Sequence, residues 1–308
     1  MGRRRPRREQ LGRVAAAVGL AVVTLIGVAE TGATTAAATA TTVVGGNTFA
    51  TRTACSGGTG LPGAVQSLGP TFYWRLGDPV GAVTVADSSG NGRPGTVRVT
   101  GTAANNVALG ATSLIWCDTG ALRQPAVARA VANAGTVVWT TLRAAPGPNT
   151  FTIMAWVQVP AGLATGGRVM GFGNASTGRS TTYDRHLFVD NQGRAAFGIY
   201  PGAVRVLRST TLVNDGKAHF LVATLGPSGG RLYVDGVPQG SDPTWTVAQN
   251  YGGYWRVGWD NLAGWGPAGD PVNPTNFGLG GVIDEAAVFE GQELSAAQVA
   301  AIWATNHW

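Results

Sequence analysis

The chain has 308 residues, with 22 Lys+Arg against 16 Asp+Glu and a formal net charge of +6. Six of the basic and two of the acidic residues fall in the first forty, so the remainder carries 16 against 14, a net +2. A charge that small leaves no electrostatic footprint for nucleic acid, and DNA and RNA are excluded as expected partners.

From the start of the chain, Arg3, Arg4, Arg5, Arg7, Arg8 and Arg13 precede an apolar run from Val14 to Ala29, and an Ala38-Thr39-Ala40 triplet follows. This is the layout of a secretory signal peptide, expected over residues 1–40. The run falls short of the roughly 20 apolar residues that cross a bilayer, so membrane contact is expected only through an uncleaved signal segment. Localisation is therefore expected to be secreted or at the cell surface. Cys55 and Cys117 are the two cysteines. In an oxidising compartment they are expected to form one disulfide, contributing about 4 kcal/mol through loop closure.

Residues 41–62 are rich in Thr, Gly and Ala without lasting periodicity and read as an exposed lead-in, with the folded domain expected over 63–308. From there, short β-branched and aromatic runs recur between Gly, Pro, Asn and Asp clusters, the pattern of an antiparallel sandwich. Phe151, Ile153, Ala155, Val157 and Val159 alternate with Thr152, Met154, Trp156 and Gln158, giving a strand with one apolar and one mixed face. His186–Val189 and Ala195–Tyr200 form a hairpin through Asp190-Asn191-Gln192-Gly193, and His219–Leu225 returns through Gly226–Gly230 into Arg231–Val234. Asp235-Gly236 makes the next turn. Strands follow at Tyr254–Gly258 and Gly281–Phe289. Ser295 with Gln298 then forms a capping box for a short terminal helix with Val299, Ile302 and Trp303 on one face.

Three phrases carry a resemblance: Phe72-Tyr73-Trp74-Arg75-Leu76-Gly77-Asp78, Leu232-Tyr233-Val234-Asp235-Gly236-Val237, and Gly281-Val282-Ile283-Asp284-Glu285-Ala286. In this order the chain resembles the laminin-G-like domains of the concanavalin A-like lectin/glucanase superfamily, of secreted bacterial type, over about residues 64–305. The resemblance implies an all-β, antiparallel jelly-roll sandwich with a short C-terminal helix. It also implies recognition of carbohydrate or another cell-surface polymer, or of protein, with some enzymatic branches.

Glycosidases of that superfamily carry a Glu-x-Asp-x-x-Glu or Glu-x-Asp-x-Glu phrase, which is missing. The glutamates beyond residue 40 are Glu285, Glu290 and Glu293. Asp284 and Glu285 are neighbours on a strand and should face opposite ways, and Asp284 lies some 20 Å from Glu290 in an extended chain. Carboxyl pairs in glycosidases stand about 5 to 10 Å apart. A non-catalytic binding module is therefore expected, with no enzyme activity. The alternatives are a structural or adhesive module that contacts protein, and a divergent glycoside hydrolase. Gly226-Pro227-Ser228-Gly229-Gly230 matches a nucleophile phrase in letters alone, since it joins two strands. His186, His219 and His307 lie apart, and His219 reads as a hydrogen-bonded strand residue.

Asp87-Ser88-Ser89-Gly90-Asn91-Gly92 places oxygen ligands at alternate positions, but Arg98 stands where an EF-hand requires Glu. The resemblance implies a structural Ca2+ that joins an early loop to the last core strand, with Asp87, Asn91 and Asp284 as its ligands. The other reading is a plain Asx turn, with Asp284 or Glu285 paired to Arg75. Six large aromatics, from Trp245 to Trp265, crowd 21 residues dense in Gly, Asn and Asp. Trp255 reads as core. Trp259, Asp260, Asn261 and Trp265, in a Gly/Pro loop expected to be exposed, and Tyr251 are the candidate sugar-binding residues, because a pyranose offers an apolar face and a hydroxyl rim. Packing over the end of the sheet is the competing reading of the same rings.

Overall fold

The computed structural model describes residues 42–44, 47–49, 60–100, 109, 111–115, 122–124, 127–128, 135–265, 274 and 276–305. The signal segment expected at 1–40 and both cysteines, Cys55 and Cys117, lie outside them. The chain separates into two compact units, Met1–Ala54 and Cys55–Trp308. In the first, β1 (Thr42–Val44) pairs antiparallel with β2 (Asn47–Phe49), a hairpin inside the segment read as an irregular lead-in.

The second unit opens with α1 (Leu61–Ser67), which begins just before the expected domain start. Its short length hid it, although Pro62 in the first turn and the Leu61/Val65 spacing mark it. Then come β3 (Phe72–Trp74), β4 (Thr84–Val85), β5 (Gly95–Thr100), β6 (Leu122–Gln124), β7 (Val127–Ala128), β8 (Gly135–Thr140) and β9 (Phe151–Gln158). β10 (Gly167–Gly173), β11 (Tyr183–Val189), β12 (Arg194–Ile199), β13 (Arg205–Leu212), β14 (Ala218–Gly226), β15 (Gly229–Val234) and β16 (Val237–Asp242) follow. The chain closes with β17 (Tyr254–Gly258), β18 (Asn276–Gly278), β19 (Gly281–Glu290) and α2 (Ala296–Trp303).

Two sheets stack as the sequence predicts. One runs β16-β15-β14-β9-β19-β3 with β6 beside β19, and the other runs β13-β12-β11-β10-β17-β8-β5-β4. In the second sheet, β18 adds a single parallel bridge to β10 and also pairs with β7. Central strands β9 and β19 are far apart in sequence yet paired along most of their length, which closes the sandwich.

The core between the sheets takes Trp74, Ile153, Phe172, Leu221, Trp255 and Ile283, all at most 2% exposed. Each such side chain contributes roughly 1.5–3 kcal/mol by leaving water. The expected mixed face of β9 is buried as well. Met154 and Trp156 lie with Phe220 and Phe289 beneath α1 and α2, which supply Leu61, Val65, Val299 and Ile302. Trp303 stacks on Trp156 at 5.0 Å. A period-two pattern cannot announce that helices will cover its second face.

The local turn chemistry behaves as read. Asp190 Oδ1 accepts from Gln192 N and Arg194 N, which pins the β11–β12 hairpin. Asp235 and Gly236 both have positive φ, 54° and 77°, the type I′ geometry that joins β15 to β16. Ser295 Oγ accepts from Gln298 N while Gln298 Oε1 accepts from Ser295 N, completing the capping box. One alternation fails. Glu285 has φ 52° and the β9–β19 register shifts between Asp284 and Ala287, so a bulge interrupts the strand and both Asp284 and Glu285 are fully buried.

Candidate functional site

On the outer face of the larger sheet, alternation that sends Val169, Leu187 and Val257 into the core sends Arg168, His186 and Arg256 the other way. The segment after β17 folds back over them. Asp260 Oδ2 stands 3.1 Å from Arg168 Nη1 and 3.1 Å from Arg256 Nη1, and it accepts from Ser180 Oγ at 2.7 Å. Asp260 Oδ1 accepts from Ser180 N at 2.8 Å and from Asn261 N at 2.7 Å. Room for this cluster comes from glycine, since a Cβ on Gly173 would stand 2.2 Å from Ser180 Oγ and 2.7 Å from Asp260 Oδ2. Burial pulls the Arg168 guanidinium down to about 10, against the attraction of Asp260. Burial first, and then Arg168, hold the His186 imidazole well below its ordinary value, so it is neutral.

Beside this cluster lies a cleft of about 320 Å³ lined by Tyr183, Tyr200 and Trp265, with Thr181, Thr182 and Gln249. That is the lower end of the volumes that hold small ligands. Trp265 lies flat enough over Gly198 that a Cβ there would meet its ring at 2.5 Å, and it meets His186 edge-on at 4.6 Å. Tyr183 donates its hydroxyl to Ala263 O at 2.8 Å, tying β11 to the covering segment. The cleft wall therefore combines rings with hydroxyl and amide groups.

A second network fixes its base. The Tyr251 hydroxyl accepts from Asp184 N at 3.0 Å, and it stands 2.9 Å from Phe172 O and 3.1 Å from Asp184 Oδ1. Asp184 Oδ2 accepts from Gln249 N at 2.8 Å. Arg185, at φ 52°, is held in this unfavourable conformation by bonds to the carbonyls of Gly147, Pro148 and Gln249 and by the ion pair with Asp184. Burial raises Asp184 despite Arg185, and burial together with Asp184 raises Tyr251 well above its ordinary value.

The structure brings the five expected sugar-binding residues to one region but turns them inward. Trp259 is 0% exposed and Trp265 2%, packed with Phe188, Leu262 and Phe277, so the expected exposed rings are corrected to buried ones. Asp260 and Asn261 are buried with them, and Tyr251 is half-buried. The physical reason lies in the small residues on the outer face of β12: Gly198 leaves room for the Trp265 ring, and Ala196 lies in one cluster with Trp259, Phe188 and Phe277. Of the set, Trp265 lines the cleft. Tyr183, Tyr200 and Gln249 were missed because strand periodicity assigns them no task. The outward arginines Arg168 and Arg256 carried a legible signal: a charged residue inside an apolar strand.

The expected calcium ligands are engaged elsewhere. Asp87 accepts from Tyr73 N, Ser89 N, Ser89 Oγ and Arg93 N, all within 3.0 Å. Asn91 Nδ2 donates to Pro70 O, and Asp284 accepts from Ser113 Oγ, Leu114 N and Glu285 N. Carboxylates surrounded by N–H and O–H donors present the wrong dipole to a cation, and among the described residues no group of three His, Cys, Asp or Glu converges to hold a metal. Glu285 meets Arg75 at 3.2 Å, the pairing that the Asx-turn reading named. Burial raises Glu285 well above the usual carboxylate range.

A family model described as the concanavalin A-like lectin/glucanases superfamily matches residues 132–300, more than half of the chain. Among solved structures, Trypanosoma rangeli sialidase in complex with sialic acid is similar at 14% identity and a TM-score of 0.47, over 77% of this chain and 33% of that one. The botulinum neurotoxin type G receptor binding domain is similar at 12% identity and 0.48, over 76% and 51%. A SAP-like pentraxin from Limulus polyphemus follows at 12% and 0.41, over 59% and 80%. The chain spans about a third of the sialidase's length. No curated protein matches.

The expectation that the chain is not an enzyme is withdrawn; the similar solved structures include sialidases. That expectation rested on the missing carboxylate pair, and the paired-carboxylate rule has exceptions among glycoside hydrolases. The missing phrase therefore excludes one catalytic design and not catalysis as such.

Proposed function

Because the chain belongs to the concanavalin A-like lectin/glucanase superfamily, we propose that it binds carbohydrate in the cleft between Tyr183, Tyr200 and Trp265, outside the cell or on its surface. The observation that carries this is the composition of the cleft wall. The half-buried Tyr183 and Tyr200 rings supply apolar surface for the C–H side of a pyranose over the buried Trp265, while Thr181, Thr182 and Gln249 supply hydroxyl and amide partners for its rim. The walls are also fixed in advance. Tyr183 is bonded to Ala263 O, Trp265 is wedged over Gly198, and Gln249 is anchored through Asp184, so little ordering cost remains on binding. The arginine-rich, apolar start of the chain supports export.

A glycan and polysaccharide array, probed with the wild type and with Tyr200→Ala, tests the proposal. Selective binding is expected in the wild type. Removing the half-buried Tyr200 ring should weaken it about three- to tenfold, the worth of one aromatic contact, in a variant whose melt still shows a folded protein. A wild type that binds no glycan, or a variant that binds as well as the wild type, would refute the assignment of this cleft.

A further inference from the structure

Buried charge beneath the cleft does not balance. Arg168 and Arg256 are both fully buried and share one carboxylate, Asp260, also fully buried. The neighbouring Asp184–Arg185 pair adds nothing net, and His186 is neutral. Several donors in the cluster have no acceptor among the described residues: Arg168 Nε, Arg256 Nε and Nη2, and Trp259 Nε1. An uncompensated guanidinium in a low-dielectric interior is costly, and its field reaches further than the same charge in water.

This cluster is connected to the cleft wall at three points. Ser180, bonded to Asp260, precedes Thr181 of the wall. Asn261, whose N–H donates to Asp260, accepts from the N–H of Ala263, another wall residue. Trp265 meets His186, which feels Arg168. Exposed Arg205 adjoins Val204 of the wall in sequence and exposed Arg179 lies two residues before Thr181, with Asp242 the acid that interacts with Arg205. Among the described residues, cations thus outnumber carboxylates beside a cleft whose own lining is uncharged.

We propose that the cleft selects acidic sugars, those that carry a carboxylate on the ring it receives, over neutral ones. This rests on the carbohydrate-binding role of the same cleft. One buried positive charge about 10 Å from a ligand carboxylate, at an effective dielectric near 20, corresponds to on the order of a tenfold preference. Because most of that charge is buried, added salt should reduce the preference without abolishing it.

The experiment is calorimetric titration of the whole protein with uronic-acid oligosaccharides cut from polygalacturonate, alginate and hyaluronan, each paired with its carboxyl-reduced form. The expected result is at least one acidic oligosaccharide bound on the order of tenfold more tightly than its reduced partner. Arg205→Gln, at an exposed position that leaves the fold intact, should shrink that ratio. Arg256→Gln should remove most of it, provided its melt shows a folded protein. A reduced, neutral form bound as tightly as the acidic one would overturn the charge preference while leaving the carbohydrate role standing. If no member of either set binds, both fall together.

Discussion

Replacing Asp260 by Asn keeps the size of the side chain and removes its charge. Asp260 is fully buried and bonds or pairs with Ser180, Asn261, Arg168 and Arg256. Asn can still accept one bond through its amide oxygen, but its NH2 group then faces the Ser180 hydroxyl or a guanidinium, and both arginines lose their shared counter-ion. Breaking a buried ion pair from one side costs about 3–5 kcal/mol, since the orphaned charge stays buried. For a domain of this size each kcal/mol lowers the melting temperature by roughly 2–4 °C, so Asp260→Asn should melt on the order of 10 °C below the wild type. Urea denaturation with the slope held in common is the assay, because it reports the free energy directly. The double variant Asp260→Asn, Arg256→Gln should recover part of the loss, as it removes one of the two orphaned charges. A single variant within about 1 kcal/mol of the wild type would refute the charge accounting at this site.

Two further outcomes follow from the geometry. His219 lies between Asp235 at 2.8 Å and Asp215 at 3.0 Å; burial lowers its pKa, but the two carboxylates outweigh burial and raise it above the ordinary imidazole value. A raised pKa means the protonated form stabilises the fold, fully so below about pH 6.5, and the contribution fades as pH rises through the folded-state value. The stability gap between the wild type and His219→Gln should therefore be larger at about pH 5.5 than at about pH 9, and a gap that widens with pH would contradict the ion pair. Ser295→Ala removes the oxygen that caps α2 and should cost about 1 kcal/mol; a change below a few tenths would show that packing of Val299 and Ile302 alone holds the helix.

Sequence alone determined what is local. Hairpins at Asp190–Gly193 and Asp235–Gly236, the β9 strand and the Ser295/Gln298 capping box were legible because their causes lie within a few residues: side-chain to backbone bonds, positive φ and period-two alternation. It also named Trp265, which lines the cleft, and it offered the Arg75–Glu285 pairing as one of two readings. Tertiary structure decided which faces are covered and which charges meet. Trp156 on β9 became buried because α1 and α2 pack over it, and Trp265 became interior because Gly198 on β12 leaves room for its ring, beside Trp259 in the same cluster. Arg168 lies 88 residues before Arg256, which has Asp260 four residues beyond it, and Tyr183 begins β11 while Tyr200 follows β12, so no window of sequence contains the whole cluster or the cleft. Their meeting depends on strand order across the sheet, which is set by long-range burial of apolar surface and not by any residue's own propensity.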